Sequence, residues 1–462
     1  MFVGREKELS ILSMRWKSEK FECVIIYGRR RVGKTALINE FCKNKPHIFF
    51  TGLESTVKEN LQNFSQNIFE ATGRTANAPI YTDFNAALLD VAQIANNKRL
   101  ALVIDEFPYL AASYNGISSL LQKTIDHKYK NTKIFLILCG SSMSFMENQV
   151  LGAKSPLFGR RTSQIKLLPL NFFETVYFHP KYSLEELAIL YGIAGGIPHY
   201  QLQFSEDLSL SDNIKQNLLE PSAYLFEEPI NFLKQEVREP SNYNAIVQAI
   251  ATGSSKLNEI ATKTGLESSA AVGYLKNLIS LSIVKKETPL GAKNSRHSIY
   301  KITDPLFRFW YRFIPRNYSQ LQNGMIDAVY KKIEPHFSEY MGRVFEDICL
   351  EWLWEENAKE KLPFIFTEAG RWWGNDKIKK SQVEIDIIAK NEQNLIFCEC
   401  KWKNEPIKVD ILKILKEKSN IFECSSKYWY IFSKSGFSKE CEKSTDETVR
   451  LISFKDMYNL YV

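Results

Sequence analysis

The stretch that decides the fold of the first third of the chain is Val24-Ile25-Ile26-Tyr27-Gly28-Arg29-Arg30-Arg31-Val32-Gly33-Lys34-Thr35-Ala36. Its β-branched start predicts a buried strand, and residues 36–41 read as a helix. The spacing GxxxxGK[ST] between them predicts a loop whose backbone N–H groups wrap phosphates. ATP is therefore the expected ligand of Gly28, Arg29, Arg30, Arg31, Val32, Gly33, Lys34, Thr35 and Ala36. The alternative is a Gly- and Arg-rich surface turn, which the flanking strand and helix disfavour.

Two side chains of this loop have specific expected roles. Lys34 is expected to reach the β- and γ-phosphates, and the Thr35 hydroxyl to ligate Mg²⁺. A second segment points to the same metal, because the apolar run 100–104 ends in Asp105-Glu106. Asp105 is expected to hold Mg²⁺ through its water shell and Glu106 to orient the attacking water. The alternative for this pair is a strand capped by two solvated acids.

A third polar group follows the apolar run 134–139, which predicts a neighbouring strand. Gly140-Ser141-Ser142 comes directly after it and brings hydroxyl groups near the γ-phosphate. Ser141 is the candidate sensor in this interpretation. A serine at the end of a strand can also simply cap the following helix.

Length and composition limit the classes of protein to consider. The chain has 462 residues, which predicts several domains, and 44% hydrophobic with 24% charged residues is ordinary for globular protein. Lys and Arg total 60 against 53 Asp and Glu, and this net charge of +7 permits nucleic-acid binding without requiring it. No apolar run is long enough to cross a membrane. The N-terminal residues do not show the pattern of a secretory leader, so a cytoplasmic location and no membrane partner are expected.

Six motifs occur in the order found in a known family. They are Phe2-Val3-Gly4-Arg5-Glu6-Lys7-Glu8-Leu9, the phosphate loop, Asp105-Glu106, Gly140-Ser141-Ser142, Leu157-Phe158-Gly159-Arg160-Arg161 and Gly195-Gly196-Ile197-Pro198. Over residues 1 to about 230 the chain thus resembles the archaeal-type ATPases, whose AAA+/STAND-like domains are related to the origin-recognition ATPases.

This resemblance has implications for individual residues. Val3 and Arg5 would border the adenine, and Pro198 would pack near the base. Arg160, or alternatively Arg161, would act as an arginine finger or sensor. Sites of this type are often completed by a neighbour's arginine, so a homo-oligomer is a possible partner state.

Residues 242–303 predict three helices and a hairpin, the order of a winged helix. Ser268–Leu281 is the expected recognition helix. Five cations and one acid, Glu287, fall between residues 285 and 301; the cations are Lys285, Lys286, Lys293, Arg296 and Lys301. A basic hairpin suits contacts with DNA phosphates, and the candidate DNA-binding residues are Lys285, Lys286, Lys293 and Arg296. The alternative is a winged helix that only docks within the molecule.

The last region has a pattern of acids and one lysine. Glu346 lies on a predicted helix, Asp386 on the strand 383–389, and Glu399 and Lys401 on the strand 395–402. Gly370-Arg371-Trp372-Trp373 is expected in a loop between this helix and the first of these strands. The period of two along a strand puts Glu399 and Lys401 on one face. Asp386 and Glu399 would then share a divalent cation with Glu346, while Lys401 would position or deprotonate a water.

This pattern, E…ExD…ExK, resembles the PD-(D/E)xK nuclease core. It also resembles the C-terminal domain of undefined function that is often fused to archaeal-type ATPases. The departure from the nuclease pattern is the absence of a proline before Asp386, where Val383-Glu384-Ile385 stands. The alternative is a nuclease-like fold that is kept as a binding or packing module.

The sequence therefore predicts an α/β protein of five segments. They are a P-loop ATPase core with a parallel sheet (1–170), a helical lid packed on that sheet (171–238), an α+β winged helix (239–303), a connector (304–329) and an α/β restriction-endonuclease-like domain (330–462). The leading hypothesis is an ATP- and Mg²⁺-dependent ATPase that binds DNA and carries a metal-dependent nuclease-like domain. The alternatives are a nucleotide-gated DNA-binding switch that does not cut, and a DNA-segregation or transposition helper.

Overall fold

The computed structural model describes residues 2–74, 80–96, 98–292, 297–376 and 381–459. The chain divides into two compact units, the first comprising Met1–Leu170 with Ile197–His199 and the second Asn171–Gly196 with Tyr200–Val462. Over the described ranges, no helix combines the length and the apolar character that a membrane crossing requires.

The first unit is built around a parallel sheet. Its elements are α1 Glu6–Trp16, β1 Glu22–Tyr27, α2 Lys34–Cys42, β2 His47–Thr51, α3 Val57–Thr72, α4 Phe84–Ile94, β3 Leu100–Asp105, α5 Phe107–Ser113, α6 Ile117–His127, β4 Ile134–Gly140, α7 Met143–Phe145 and β5 Ser163–Lys166. The five strands lie in the order β2-β3-β4-β1-β5, and every neighbouring pair is parallel. All residues of β1, β3 and β4 are buried, as expected for central parallel strands covered on both faces. This order places the carboxyl ends of β1, β3 and β4 side by side.

The second unit begins with short helices and continues into three helices and a hairpin. The elements are α8 Phe172–Thr175, α9 Leu184–Ala194, α10 Pro198–Gln201 (whose Pro198 and His199 group with the first unit), α11 Leu210–Ile214, α12 Glu228–Glu236, α13 Pro240–Ala251, α14 Leu257–Thr264, α15 Ser268–Ser280, β6 Val284–Glu287 and β7 Ile299–Ile302. Strands β6 and β7 pair antiparallel, with Lys285 opposite Lys301. We call β6, β7 and the residues between them the hairpin.

The unit ends in a mixed sheet. The elements are α16 Pro305–Phe313, α17 Tyr318–Gln322, α18 Ile326–Ile333, α19 Phe337–Ala358, β8 Glu368–Asp376, β9 Ser381–Lys390, β10 Asn394–Lys401, α20 Val409–Ser419, β11 Ser426–Ser433, α21 Lys439–Glu442, β12 Val449–Ser453 and α22 Phe454–Asn459. The strand order is β12-β11-β10-β9-β8; β8, β9 and β10 pair antiparallel, and β10, β11 and β12 pair parallel. The α/β fold class predicted from the sequence is confirmed: a parallel five-stranded sheet comes first, and a separate α/β region with a mixed sheet follows.

Three parts of this architecture differ from the sequence-based expectation. Gly370–Trp373, predicted as loop, belongs to strand β8, because this segment pairs along β9 with an irregularity between Gly370 and Trp372. The aromatic connector contains helix α16, whose Phe307 and Phe309 are fully buried. Residues 171–196, predicted as part of a lid on the ATPase sheet, group with the second unit, where the Tyr340 hydroxyl donates to the Gly192 carbonyl at 2.5 Å.

Candidate functional site

The loop between β1 and α2 has the backbone shape that its glycines allow. Gly33 and Arg31 have φ values of 93° and 69°, in the left-handed region. A Cβ atom at Gly28 would lie 2.4 Å from the Leu167 carbonyl oxygen, so only glycine fits at the start of the loop. Val32 is fully buried below the loop, whereas Thr35 and Ala36 are exposed at its end.

Lys34 is the central cation of this loop. It is only 6% exposed, and its Nζ donates to the carbonyl oxygens of Gly28 at 3.0 Å and Arg29 at 3.1 Å. The ammonium group therefore lies inside the curve of the loop. Next to it, the Arg30 guanidinium donates to the Tyr109 hydroxyl at 2.7 Å.

Acidic groups at the end of strand β3 reach the same edge of the sheet. Oγ1 of Thr35 donates to Oδ2 of Asp105 at 2.7 Å, and the Glu106 backbone N–H donates to Oδ1 of Asp105 at 2.9 Å. Glu106 has φ 46° and ψ 45° at the start of α5. This left-handed conformation turns the chain sharply after β3.

Ser141 fixes the side chain of Glu106. Its hydroxyl donates to Oε2 of Glu106 at 2.8 Å, and its backbone N–H donates to the same oxygen at 3.2 Å. The predicted residues Lys34, Thr35, Asp105, Glu106 and Ser141 thus lie at adjoining carboxyl ends of β1, β3 and β4. Hydroxyl and carboxylate oxygens are the ligands that Mg²⁺ prefers, and Thr35 and Asp105 fit that requirement.

The residues expected near the adenine have different surroundings. Arg5 is 5% exposed, and its Nη2 donates to the carbonyl oxygens of Val32 at 3.1 Å and Leu168 at 2.7 Å. It therefore ties the N-terminal segment to the phosphate loop. Pro198 lies beside the loop, since a Cβ atom at Gly33 would be 3.6 Å from its Cγ. Val3 is half-buried in the same N-terminal segment.

The two candidate finger arginines contact the protein itself. Arg160 donates to Oδ2 of Asp126 through Nη2 at 2.6 Å and Nε at 3.1 Å. Hydrogen bonds from Arg160 and Lys130 hold the pKa of Asp126 at about 2, well below its usual range. Arg161 donates to the Leu151 carbonyl at 3.3 Å. Both guanidinium groups are therefore anchored within the first unit.

In the second unit, part of the predicted acid and lysine set is brought together. Oδ2 of Asp386 accepts a hydrogen bond from the Cys400 N–H at 2.8 Å and lies 3.8 Å from Nζ of Lys401. Nζ of Lys401 is 2.5 Å from Oε1 of Glu399, and Nζ of Lys418 is 3.1 Å from Oε2 of Glu399. Burial lowers the pKa of Lys401, but Glu399 and Asp386 more than offset this and raise it overall.

Of Asp386, Glu399 and Lys401, only Asp386 lines the same cavity as Glu346, which lies on helix α19. The two carboxylates line a cavity of about 270 Å³ with the hairpin residues Lys285 and Lys286, and Glu399 and Lys401 are outside its described lining. We call this the carboxylate cavity. Burial and the neighbouring Asp386 raise the pKa of Glu346 to about 7. Burial, with Glu399 as the next cause, raises the pKa of Asp386.

No group of three His, Cys, Asp or Glu side chains is arranged to hold a metal ion in the described part of the chain. In the C-terminal set, both oxygens of Glu399 pair with lysines, and Glu346 pairs with Arg343 at 2.9 Å and Arg371 at 3.5 Å. As arranged here, these carboxylates do not fit a shared metal ion.

The hairpin cations have close partners in the same unit. Lys285 pairs with Glu287 at 2.9 Å and Lys301 with Asp347 at 3.5 Å, while Lys286 is exposed. Lys293 and Arg296, also predicted to bind DNA, lie outside the described residues. The hairpin is attached to the mixed sheet by a hydrogen bond from the Leu290 N–H to the Arg371 carbonyl at 3.0 Å.

Sequence reasoning missed Arg371, Asp347 and Glu351. Arg371 contacts Glu287, Glu346 and Glu384, and Asp347 pairs with Arg308 at 3.0 Å. Oε1 of Glu351 accepts from the Tyr191 hydroxyl at 2.5 Å and Oε2 from the Phe172 N–H at 2.9 Å. The partners are distant in sequence, so no local spacing points to them. The only local signal was the run of charged residues on α19.

Two family models match the chain. One, described as an ATPase domain predominantly from Archaea, matches residues 2–204; the other, described as archaeal and bacterial proteins of unknown function, matches residues 310–428. An uncharacterized protein of Methanocaldococcus jannaschii is 35% identical over 448 residues, which span 95% of this chain and 97% of the relative. An uncharacterized ATP-binding protein of the same organism is 53% identical over 45 residues, 10% of this chain and 76% of that relative.

Among solved structures, the Walker-type ATPase of Pyrococcus abyssi is similar in fold. The TM-score is 0.51 at 18% sequence identity, and the match covers 67% of this chain and 96% of the other. At this level of identity the likeness concerns the fold alone. It supports the description of the first unit as a P-loop ATPase sheet.

Proposed function

The chain belongs to a family of archaeal-type ATPases in which the ATPase domain is followed by a C-terminal domain of unknown function, and from this premise we propose that it hydrolyses ATP to control nucleic-acid binding. The observation that carries the proposal is the 2.7 Å hydrogen bond between Thr35 and Asp105, beside Lys34 and Glu106. These are the groups that phosphoryl transfer to water requires at one sheet edge.

In this proposal the backbone of residues 28–36 binds the ATP phosphates, and Lys34 exchanges its loop carbonyl partners for phosphate oxygens. Mg²⁺ bound with the nucleotide would offset the charge of the phosphates, and Thr35 and Asp105 are the residues that would hold it. Glu106 holds the attacking water in line, and Ser141 keeps the Glu106 carboxylate in place. Arg29, Arg30 and Arg31 add positive charge around the loop.

The adenine is proposed to lie near Val3, Arg5 and Pro198. Arg5 acts there mainly as a positioning residue, because its guanidinium holds the carbonyl of Val32 in the phosphate loop. Arg160 is proposed to complete the site of a neighbouring copy in a homo-oligomer, with Arg161 as the alternative. Arg160 would have to leave Asp126 to do so, and the salt bridge between them is thus a restraint on that role.

DNA is the proposed nucleic acid, and residues 239–303 are proposed to act as a winged helix. Lys285 and Lys286 of the hairpin would contact phosphates, together with Lys293 and Arg296. What supports this is the pairing of two basic strands, in which Lys285 lies opposite Lys301. Phosphate contacts of this kind give affinity without sequence choice.

A second candidate function, DNA cleavage, is favoured by one observation in the C-terminal sheet. Asp386, Glu399 and Lys401 lie within ion-pair distance of each other through Nζ of Lys401. This is the residue set of a PD-(D/E)xK core. Since the carboxylates are neutralised by lysine and arginine, we derive no metal-dependent step from this arrangement.

The test is one assay series with wild type, Lys34→Ala and Asp386→Ala. ATP hydrolysis is measured as phosphate release, and DNA binding and cleavage are measured on single-stranded, linear and supercoiled DNA with Mg²⁺ or Mn²⁺. We expect Lys34→Ala to lose ATP binding and the nucleotide effect on DNA binding. DNA affinity that is the same with and without ATP in the wild type would contradict control by nucleotide. A plasmid left intact while ATP is hydrolysed would rule out cleavage and leave the non-cutting, nucleotide-gated switch.

A further inference from the structure

The second unit contains a cavity with an unusual charge balance. It has a volume of about 340 Å³ and lies among the end of α13, strand β7, helices α16 and α19 and strand β8. Five of its lining residues are cationic: Lys301, Arg308, Arg312, Arg343 and Arg371. No Asp or Glu belongs to the lining as far as the structure describes it. We call this the arginine cavity.

The carboxylates that hold these cations lie outside the lining. The pairs are Lys301 with Asp347 at 3.5 Å, Arg308 with Asp347 at 3.0 Å, Arg312 with Glu339 at 3.1 Å, Arg343 with Glu346 at 2.9 Å and Glu384 at 3.5 Å, and Arg371 with Glu287 at 3.7 Å, Glu346 at 3.5 Å and Glu384. A guanidinium group has five N–H donors in a fixed plane, so Arg308 and Arg312, each paired with one carboxylate, keep further donors for a ligand.

Lys301 is a buried cation with charges of both signs around it. Burial lowers its pKa, and the neighbouring cations Lys285 and Arg308 lower it further, while Asp347 and Glu287 oppose them without restoring the usual value. An anion in the cavity would relieve this repulsion.

We propose that the arginine cavity binds phosphate groups of a nucleic-acid strand. Planar guanidinium groups bind phosphate oxygens through paired, charge-assisted hydrogen bonds, and several arginines directed at one space favour a phosphate over a single carboxylate. The lining also contains the apolar side chains of Ile250, Ile299 and Ile302 and the ring of Tyr300, which suit a sugar or base. The identity of the ligand rests on the nucleic-acid part of the proposed function.

The position of the cavity supports a strand over a small free anion. Lys301 and Arg371 line both the arginine cavity and the carboxylate cavity, so the two spaces adjoin. A strand whose phosphate is held by Arg312 and Arg343 would therefore pass next to Glu346 and Asp386. This gives a continuous path from the anchoring cations to the carboxylates of the second candidate function.

The test compares the double variant Arg312→Ala/Arg343→Ala with Arg316→Ala in the full chain. Arg312 and Arg343 are 34% and 46% exposed and are the least buried of the five cations. Arg316 is an exposed arginine close in sequence to Arg312, and it does not line the cavity.

Two measurements are made on each variant. The first is the fluorescence anisotropy of labelled single- and double-stranded DNA, which reports DNA binding. The second is pyrophosphate binding, measured by calorimetry in a Lys34→Ala background, in which the phosphate loop is disabled. Thermal unfolding of each variant checks that the fold is retained.

We expect the double variant to weaken DNA binding at least about tenfold, with Arg316→Ala within about twofold of wild type. The slope of log affinity against log salt concentration should fall by about two, because two phosphate contacts are lost. If wild type binds no DNA but the double variant loses pyrophosphate binding, the phosphate site stands and the nucleic-acid function fails. If DNA binds the double variant as tightly as wild type, the site is overturned and the nucleic-acid function stands. If wild type binds neither probe, both are overturned.

Discussion

Oγ1 of Thr35 donates a 2.7 Å hydrogen bond to Oδ2 of Asp105, across 70 residues of sequence. The bond joins the first turn of α2 to the last residue of β3, and it exists because β3 and β1 each lie next to β4 in the parallel sheet. The two oxygen atoms that we propose as Mg²⁺ ligands are thereby held together by the fold itself. The predictions for the first unit follow from this arrangement and from the lysine beside it.

Replacing Lys34 by alanine should weaken ATP binding by at least about a hundredfold. The ammonium group is buried in the loop and would supply charge-assisted hydrogen bonds to phosphate oxygens. Calorimetric titration with ATP and Mg²⁺ measures the loss. Lys43→Ala, at a lysine that is 68% exposed at the end of the same helix, is the matched control and should bind ATP as wild type does. Unchanged affinity in Lys34→Ala would show that the nucleotide binds elsewhere.

Replacing Glu106 by glutamine should separate binding from hydrolysis. The amide keeps an oxygen that can accept the hydrogen bond from Ser141 but loses the negative charge that polarises a water. We expect ATP affinity within about threefold of wild type and phosphate release reduced at least about a hundredfold. Ser141→Ala should have a smaller effect on hydrolysis, since it only positions Glu106. Full turnover in Glu106→Gln would remove Glu106 from the proposed mechanism.

Alanine at Gly28 should destabilise the first unit and abolish ATP binding. Its Cβ would lie 2.4 Å from the backbone oxygen of Leu167, which cannot move without breaking the hydrogen bond from the Leu167 N–H to the Tyr27 carbonyl at 2.7 Å. Such overpacking costs about 1–3 kcal/mol, measured by chemical unfolding. Gly273→Ala is the control, because a Cβ there meets nothing within 4 Å and helix α15 should tolerate or favour alanine. Equal stability of the two variants would mean that the loop relaxes freely.

The elements around the phosphate loop were predictable because their signals are local. A β-branched run, a glycine spacing and an acidic pair after an apolar run each lie within a few residues, and the parallel sheet follows from their alternation with helices. The same holds for helix α15, which begins at Ser268 and ends at Ser280, one residue short of the prediction. Family membership and α/β fold class were correctly predicted on this basis.

The remaining features depend on contacts between distant residues. Strand β8 contains Gly370 and Gly374 and reads as a loop, and only its pairing with β9 makes it a strand. The arginine cavity combines side chains from five elements, and Glu351 contacts Tyr191 across 160 residues. Contacts between residues so far apart leave no local pattern in the sequence from which they could be predicted.

Replacing Asp386 by asparagine should abolish any DNA cleavage and leave ATP hydrolysis unchanged. Asparagine keeps an oxygen that can accept the Cys400 N–H, so the fold should be retained, but the charge opposite Lys401 is lost. The measurement is the conversion of supercoiled plasmid to nicked or linear DNA. Asp410→Asn, at an aspartate that is 72% exposed on α20, controls for the loss of one charge. Cleavage that survives in Asp386→Asn would place the reaction outside this residue set or in a contaminant.

Glu351 should make the stability of the second unit depend on pH. Burial raises its pKa from 4.5 to about 8, and the nearby carboxylates of Asp347 and Glu174 act in the same direction, while hydrogen bonds from Phe172 and Tyr191 oppose the shift. Between pH 4.5 and about 8 the folded protein therefore keeps a proton that the unfolded chain has released. Since the unfolded state binds fewer protons, the free energy of unfolding falls as the pH rises through this window, by at most about 1.4 kcal/mol per pH unit.

The variant Glu351→Gln removes the titrating group, so its free energy of unfolding should change less between pH 5 and pH 8 than that of the wild type. The glutamine oxygen can accept from the Phe172 N–H and its NH2 group can donate to the Tyr191 hydroxyl, as the protonated carboxyl does, so the variant should lie within about 1 kcal/mol of wild type at pH 5 and become more stable relative to wild type toward pH 8. Chemical unfolding at several pH values measures both curves. Glu392→Gln, in an exposed turn of the same unit, is the control and should follow the wild-type curve. Parallel curves for wild type and Glu351→Gln would show that Glu351 is ionised in the folded protein throughout this range, because the two neighbouring donors then outweigh its burial.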